Sequence, residues 1–164
     1  MAHDYTLCIG TVGGGLSCSP DGGETWNRIR QPIPSECNVR ALGESWKYDY
    51  FPRFHDSDHR SYCRGVMLKA DDPNIMFAGN GDAIPGVTGT IQRSRDGGQS
   101  WEPIQLPVEP NSGMYWFATH PSRPHIIAAA SLYGYVYVST DGGESWQKLR
   151  KEFGEIRTLA VMPN

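Results

Sequence analysis

The segment His55-Asp56-Ser57-Asp58-His59 sets two imidazoles and two carboxylates within one short stretch. Such a set supports three readings. Imidazole nitrogen and carboxylate oxygen are ligands for a divalent metal such as zinc, with Cys63 a further donor, although the spacing matches no established metal signature. A His or Asp here can instead move a proton on a substrate that arginines hold. The third reading has no chemistry in it: a polar turn whose aspartates pair with Arg53, Arg60 and the histidines. The residues leave all three open, so His55, Asp56, Asp58 and His59 are the candidate catalytic set, and His55 with His59 the candidate metal pair.

A second set suits binding. Arg40, Arg64 and Arg157 stand near the starts of apolar alternating runs, and Tyr115 with Trp116 takes the matching place in another. Guanidinium offers a planar fork for carboxylate or phosphate, and clustered guanidiniums are costly without an anionic partner. With Trp46 as an aromatic surface, Arg40, Arg64, Tyr115 and Arg157 form a candidate pocket for a small polar or anionic ligand. The alternative is that these arginines pair with Glu36, Glu44, Glu152 or Glu155 at a rim.

What positions these residues is a repeat. The octapeptides Ser19-Pro-Asp21-Gly-Gly23-Glu-Thr25-Trp26, Ser94-Arg-Asp96-Gly-Gly98-Gln-Ser100-Trp101 and Ser139-Thr-Asp141-Gly-Gly143-Glu-Ser145-Trp146 each follow an apolar alternating run. The Asp can accept backbone N–H groups of the turn, the glycines supply positive φ, and the Trp anchors the hairpin. Asp21, Asp96 and Asp141, with Trp26, Trp101 and Trp146, are therefore expected to be structural. The octapeptide resembles the Asp-box, or BNR repeat, of β-propellers such as sialidases, sortilin-type receptors, xyloglucanases and photosystem assembly factors. That resemblance implies an all-β propeller and leaves the activity open. A sialidase would need an arginine triad, a tyrosine nucleophile and an Arg-Ile-Pro segment near the start, none of which has an assignable equivalent here. A conventional glycosidase needs two flanking carboxylates, for which Asp56 or Asp58 with Asp82 is the available proposal.

Each repeat reads as four short strands. In the clearest copy these are Met114–Thr119, Ile126–Ala130, Tyr135–Ser139 and Trp146–Leu149. Ile156–Met162 reads as a first strand with nothing after it, and Tyr5–Gly10 as a second strand with nothing before it. Placed tail to head, the two reproduce the strand–turn–strand length of the complete repeat. The chain is thus expected to be half a propeller, about three blades, completed to a six-bladed ring by a second copy or a complementary half-propeller chain. Residues 1–164 are expected to form one Asp-box unit with an insertion at about 43–64. Counting from the box tryptophans and from the Asp71-Asp72-Pro73-Asn74 turn places that insertion in a first strand, over the channel mouth, where ligands bind in such folds. The Gly/Pro-punctuated segment 80–89 is a second excursion in the same blade.

Composition narrows the field. The 164 residues are 38% hydrophobic and 20% charged, with 19 Gly and 12 Pro, which suits a turn-rich β protein. A net charge of −3 offers no global attraction for nucleic acid or anionic membrane. No leader-like segment opens the sequence, so a cytoplasmic location with four reduced cysteines is expected. Three functions follow: a hydrolase or lyase acting in the channel under the inserted lid, a non-catalytic protein-binding or assembly propeller, and a glycoside hydrolase-like half-ring that needs a partner subunit.

Overall fold

The computed structural model describes residues 5–11, 15–29, 62–83 and 85–164. These form strands and turns with no helix, as the alternating patterns require. The twelve strands make three four-stranded antiparallel sheets, each a propeller blade. The second blade runs β4 (Tyr62–Lys69), β5 (Asp72–Gly81), β6 (Gly89–Ser94) and β7 (Glu102–Pro103). The third runs β8 (Met114–His120), β9 (Arg123–Ser131), β10 (Val136–Ser139) and β11 (Gln147–Lys148). The first is assembled from both ends of the chain, in the order β12 (Ile156–Pro163), β1 (Tyr5–Thr11), β2 (Gly15–Ser19) and β3 (Asn27–Ile29).

The end strands are complementary, as expected, and they satisfy each other within one chain. β12 pairs with β1 in register, Leu7 opposite Val161 and Ile9 opposite Leu159. The seat beside β1 is thus taken by the chain's own β12. The expectation of reduced cysteines is corrected too, because Cys18 is disulfide-bonded. Antiparallel pairing of β1 with β2 puts the backbone of Cys8 directly opposite that of Cys18.

Packing of the third blade explains how three sheets become one body. β9 is buried on both faces from Ile126 to Ser131, and its alternation feeds two cores. Ile126, Ala128 and Ala130 pack with Leu7, Ile9, Leu159 and Val161 of the first blade, while Ile127 and Ala129 pack with Phe77 and Ile91 of the second. Small alanines let both neighbours approach, and each large side chain removed from water contributes roughly 1.5–3 kcal/mol. The inner strands β4, β8 and β12 pack side by side through β8. The approach is close where the second blade has glycine. A Cβ at Gly79 would lie 2.5 Å from the Met114 carbonyl oxygen, and one at Gly65 would lie 2.7 Å from that of Tyr115.

Candidate functional site

The three octapeptides fold into the same turn. In each, the serine hydroxyl donates to the Asp carboxylate and accepts from the second glycine N–H, at 2.7–2.8 Å throughout. The carboxylate also accepts from the backbone N–H and hydroxyl of Thr25, Ser100 or Ser145, and in the third box from the Glu144 N–H. The indole N–H donates back to the second glycine carbonyl. Both glycines of every box have positive φ. Hydrogen bonds from Thr25 and Ser100 hold Asp21 and Asp96 at about 2, below the ordinary 3.8. For Asp141 burial pushes upward, and the Ser145 hydrogen bonds prevail, again at about 2. These carboxylates accept their hydrogen bonds from their own turns.

Each box also meets the neighbouring blade, and the two seams differ. At the seam of second and third blades, Gly143 lies against the Phe77 ring, which meets Trp146 edge-on at 6.1 Å. Above it a quartet of charges closes the gap. Arg93 donates to Glu102 at 2.6 and 2.9 Å, to Glu144 at 3.0 Å and to the Gly143 carbonyl at 3.2 Å. Arg95 adds bonds to Glu144 at 2.9 Å and Glu102 at 3.3 Å. Arg93 and then Arg95 lower the pKa of Glu102; burial opposes the same shift in Glu144, where the Arg95 and Arg93 bonds win.

At the seam of third and first blades, Gly23 meets Leu149 and no charge quartet forms among the described residues. A groove of about 580 Å³ opens there instead. Tyr5, Val138 and Leu149 line its apolar part, and Trp26 stands beside them, packed edge-on against Phe153 with ring centroids 4.8 Å apart. The rim carries Lys148, Arg150 and Lys151 against one acid, Glu24. Lys151 lies over the Trp26 and Phe153 rings at 5.6 and 5.4 Å, and Lys148 over the Tyr135 ring at 4.0 Å while pairing with Glu152.

The opposite end of the blades is a set of locked loops. Gly113 N–H donates to the Pro85 carbonyl, Leu132 N–H to the Gly113 carbonyl and Ile156 N–H to the Leu132 carbonyl, so the connections of all three blades are laced together. Thr88 donates to Glu109, Asn111 to the Tyr133 carbonyl and Tyr137 to the Val108 carbonyl. Asp82 closes the 82–88 loop: burial opposes its ionisation, but the N–H groups of Thr88 and Val87 hold its pKa low. This rigid surface exposes Val87 at 80%, Val108 at 45% and Tyr133 at 44%. β4 starts on the same end, with Tyr62 opposite Gly81, so the segment expected as an insertion joins the fold beside the 82–88 loop.

Of the residues singled out for chemistry, His55, Asp56, Asp58, His59, Arg40 and Trp46 lie outside the described residues. Arg64, Tyr115 and Arg157 fall in the inner strands β4, β8 and β12, as their spacing implied. Tyr115 is buried. Arg157 is ion-paired with Glu155, the rim partner left open as an alternative. Trp116 donates its indole N–H to the Ile156 carbonyl at 3.0 Å and so ties β8 to β12. Among the described residues no group of three or more His, Cys, Asp or Glu could hold a metal ion. The groove was missed in the sequence, although the flanks of the octapeptides carried its signal: Arg93, Arg95 and Glu102 of the second blade are replaced by Val138, Thr140 and Gln147 in the third.

A family model for the BNR/Asp-box repeat matches residues 92–103 and 137–148. The box at Ser19–Trp26 lies outside those matches and has the same hydrogen bonds. The chain is similar to the Photosystem II assembly lipoprotein Ycf48 of Synechococcus sp. (strain CC9902), 27% identical over 153 residues, covering 88% of this chain and 34% of that protein. It also resembles the solved structure of YCF48 bound to D1 peptide, at 21% identity, 93% of this chain, 40% of the other and a TM-score of 0.44. A structure of an ancestral GH74 enzyme matches at 19% identity, 89% of this chain, 17% of the other and a TM-score of 0.48. The chain spans about a third of the length of the curated relative it matches.

Proposed function

We propose, starting from a chain that carries Asp-box (BNR) repeats, that it is a non-catalytic module for protein binding or assembly. The observation that carries this reading is the laced loop end: Val87, Val108 and Tyr133 stand exposed on backbone that hydrogen bonds already hold in place. Exposed apolar groups on a rigid frame mark a contact surface, because binding there costs little ordering entropy. Similarity over most of this chain to a protein named for assembly supports the same reading. So does the use of the described, shifted carboxylates in turns and ion pairs.

The test is affinity capture from native extract with the wild-type chain and with Val87→Asp combined with Tyr133→Ala. A stoichiometric partner retained by the first and lost by the second, at unchanged thermal stability, supports the proposal. Turnover of a small substrate that survives both substitutions with no partner captured overturns it.

A further inference from the structure

We infer that the groove between third and first blades binds an extended, acidic segment of a partner protein. This rests on the protein-binding reading and adds a second contact surface to it. The argument is a comparison of equivalent positions. At the closed seam, Arg93 and Arg95 bridge Glu102 and Glu144, the latter the residue after the second box glycine. At the open seam those positions are Val138, Thr140 and Gln147, and all three line the groove. Glu24, the counterpart of Glu144, has no ion pair among the described residues.

The positive charge stands instead just past β11 of the same blade. Arg150 is exposed and has no carboxylate partner among the described residues. Lys151, which lines the groove, is held with its ammonium over two aromatic rings. A place filled by the protein's own charges at one seam is thus left, at the other, as an apolar floor under a basic rim. A volume of about 580 Å³ lies within the usual range of ligand sites. An extended segment with alternating side chains meets this geometry: apolar groups reach Val138 and Leu149 while carboxylates reach Arg150 and Lys151. Charge decides between partners: with Lys148 paired to Glu152, Arg150 and Lys151 still outnumber Glu24 at the rim and repel a basic segment.

The test uses a fluorescein-labelled peptide of alternating glutamate and valine, with its lysine-for-glutamate counterpart as control, read by fluorescence anisotropy on the full chain. The acidic peptide is expected to bind, more weakly as salt rises, and the basic one not to bind. Arg150→Glu with Lys151→Glu is expected to weaken binding at least about tenfold, equivalent to ~1.4 kcal/mol. Glu24→Gln is expected to strengthen it, which guards against loss by misfolding. Equal binding of both peptides, or indifference to Arg150→Glu with Lys151→Glu, overturns the inference. Val87→Asp with Tyr133→Ala is expected to leave peptide binding unchanged. Partner capture that persists while peptide binding is absent therefore rejects the groove alone.

Discussion

The two seams are built on the same turn and finish differently. Where third blade meets second, the box glycine lies on an immobile aromatic ring and four charges cover it. Where first blade meets third, the glycine lies on the tip of a leucine and no charge quartet bridges the seam among the described residues. The Asp-box itself is indifferent to the choice, because its serine, aspartate and tryptophan bond inward to their own turn. What distinguishes a sealed seam from an open one is therefore the residue on either side of the box serine and the one after the box tryptophan. Repetition fixes the frame and frees those positions for function.

The largest expected effect separates the seams by their tolerance of one methyl group. A Cβ at Gly143 would stand 2.3 Å from Phe77 Cζ, on a ring fully buried against Trp146, and φ is 94°. Left-handed strain and overpacking together give Gly143→Ala a cost of about 3 kcal/mol or more. At Gly23 the nearest atom is a Leu149 methyl at 2.8 Å, at the end of a side chain that can turn into the groove. Gly23→Ala is expected to cost about 1–2 kcal/mol, chiefly its positive-φ strain. Urea unfolding of the two variants checks the order, and equal losses would remove the contrast.

Acid should act on both seams and most on the closed one. Asp21, Asp96 and Asp141 have folded pKa values of about 2, below the 3.8 of a free aspartate, so their contribution is complete above the unfolded value. It is lost as pH falls from about 4 toward about 2. Glu102 and Glu144, also lowered, add to the loss at the closed seam. Thermal melts across that window are expected to fall steadily, and Asp141→Asn to flatten the slope. A stability independent of pH there would contradict the hydrogen bonding described for the boxes.

Arg93→Ala comes next. Its side chain is only 12% exposed and binds two glutamates and a carbonyl, while Glu102 and Glu144 are half in solvent. Solvent screening limits the expected loss to about 1–2 kcal/mol, declining with salt. Thr140→Ala, at the position equivalent to Arg95 in the open seam, should change stability by less than about 0.5 kcal/mol. A difference in urea midpoint between these variants at low salt is the measurement.

Much of this frame is legible in the residues. Met114 begins the first strand of its blade as expected, and Ile156 begins the last strand, because the alternation of apolar side chains marks each run. The pairing of β12 with β1 is legible for the same reason, whereas its closure within one chain is not, since the pattern is identical for self and neighbour. The disulfide at Cys18 is not legible in the sequence, because no short cysteine spacing marks it. The groove is harder still. Val138, Thr140 and Gln147 are ordinary strand residues, and their meaning lies in what stands at the same places one blade earlier.

That reading yields the smallest and sharpest expectation, a transplant of the seal. Val138→Arg with Thr140→Arg brings two guanidiniums to the groove opposite Glu24, copying Arg93 and Arg95 opposite Glu144. The gain in stability should be slight, at most about 1 kcal/mol, because Glu24 is exposed and the floor loses the burial of a valine. Added positive charge by itself would strengthen capture of an acidic peptide. A sealed groove would abolish that capture despite the extra charge. Loss of peptide binding in the transplant, with folding intact, therefore assigns recognition to the shape of the open seam, and increased binding assigns it to charge alone.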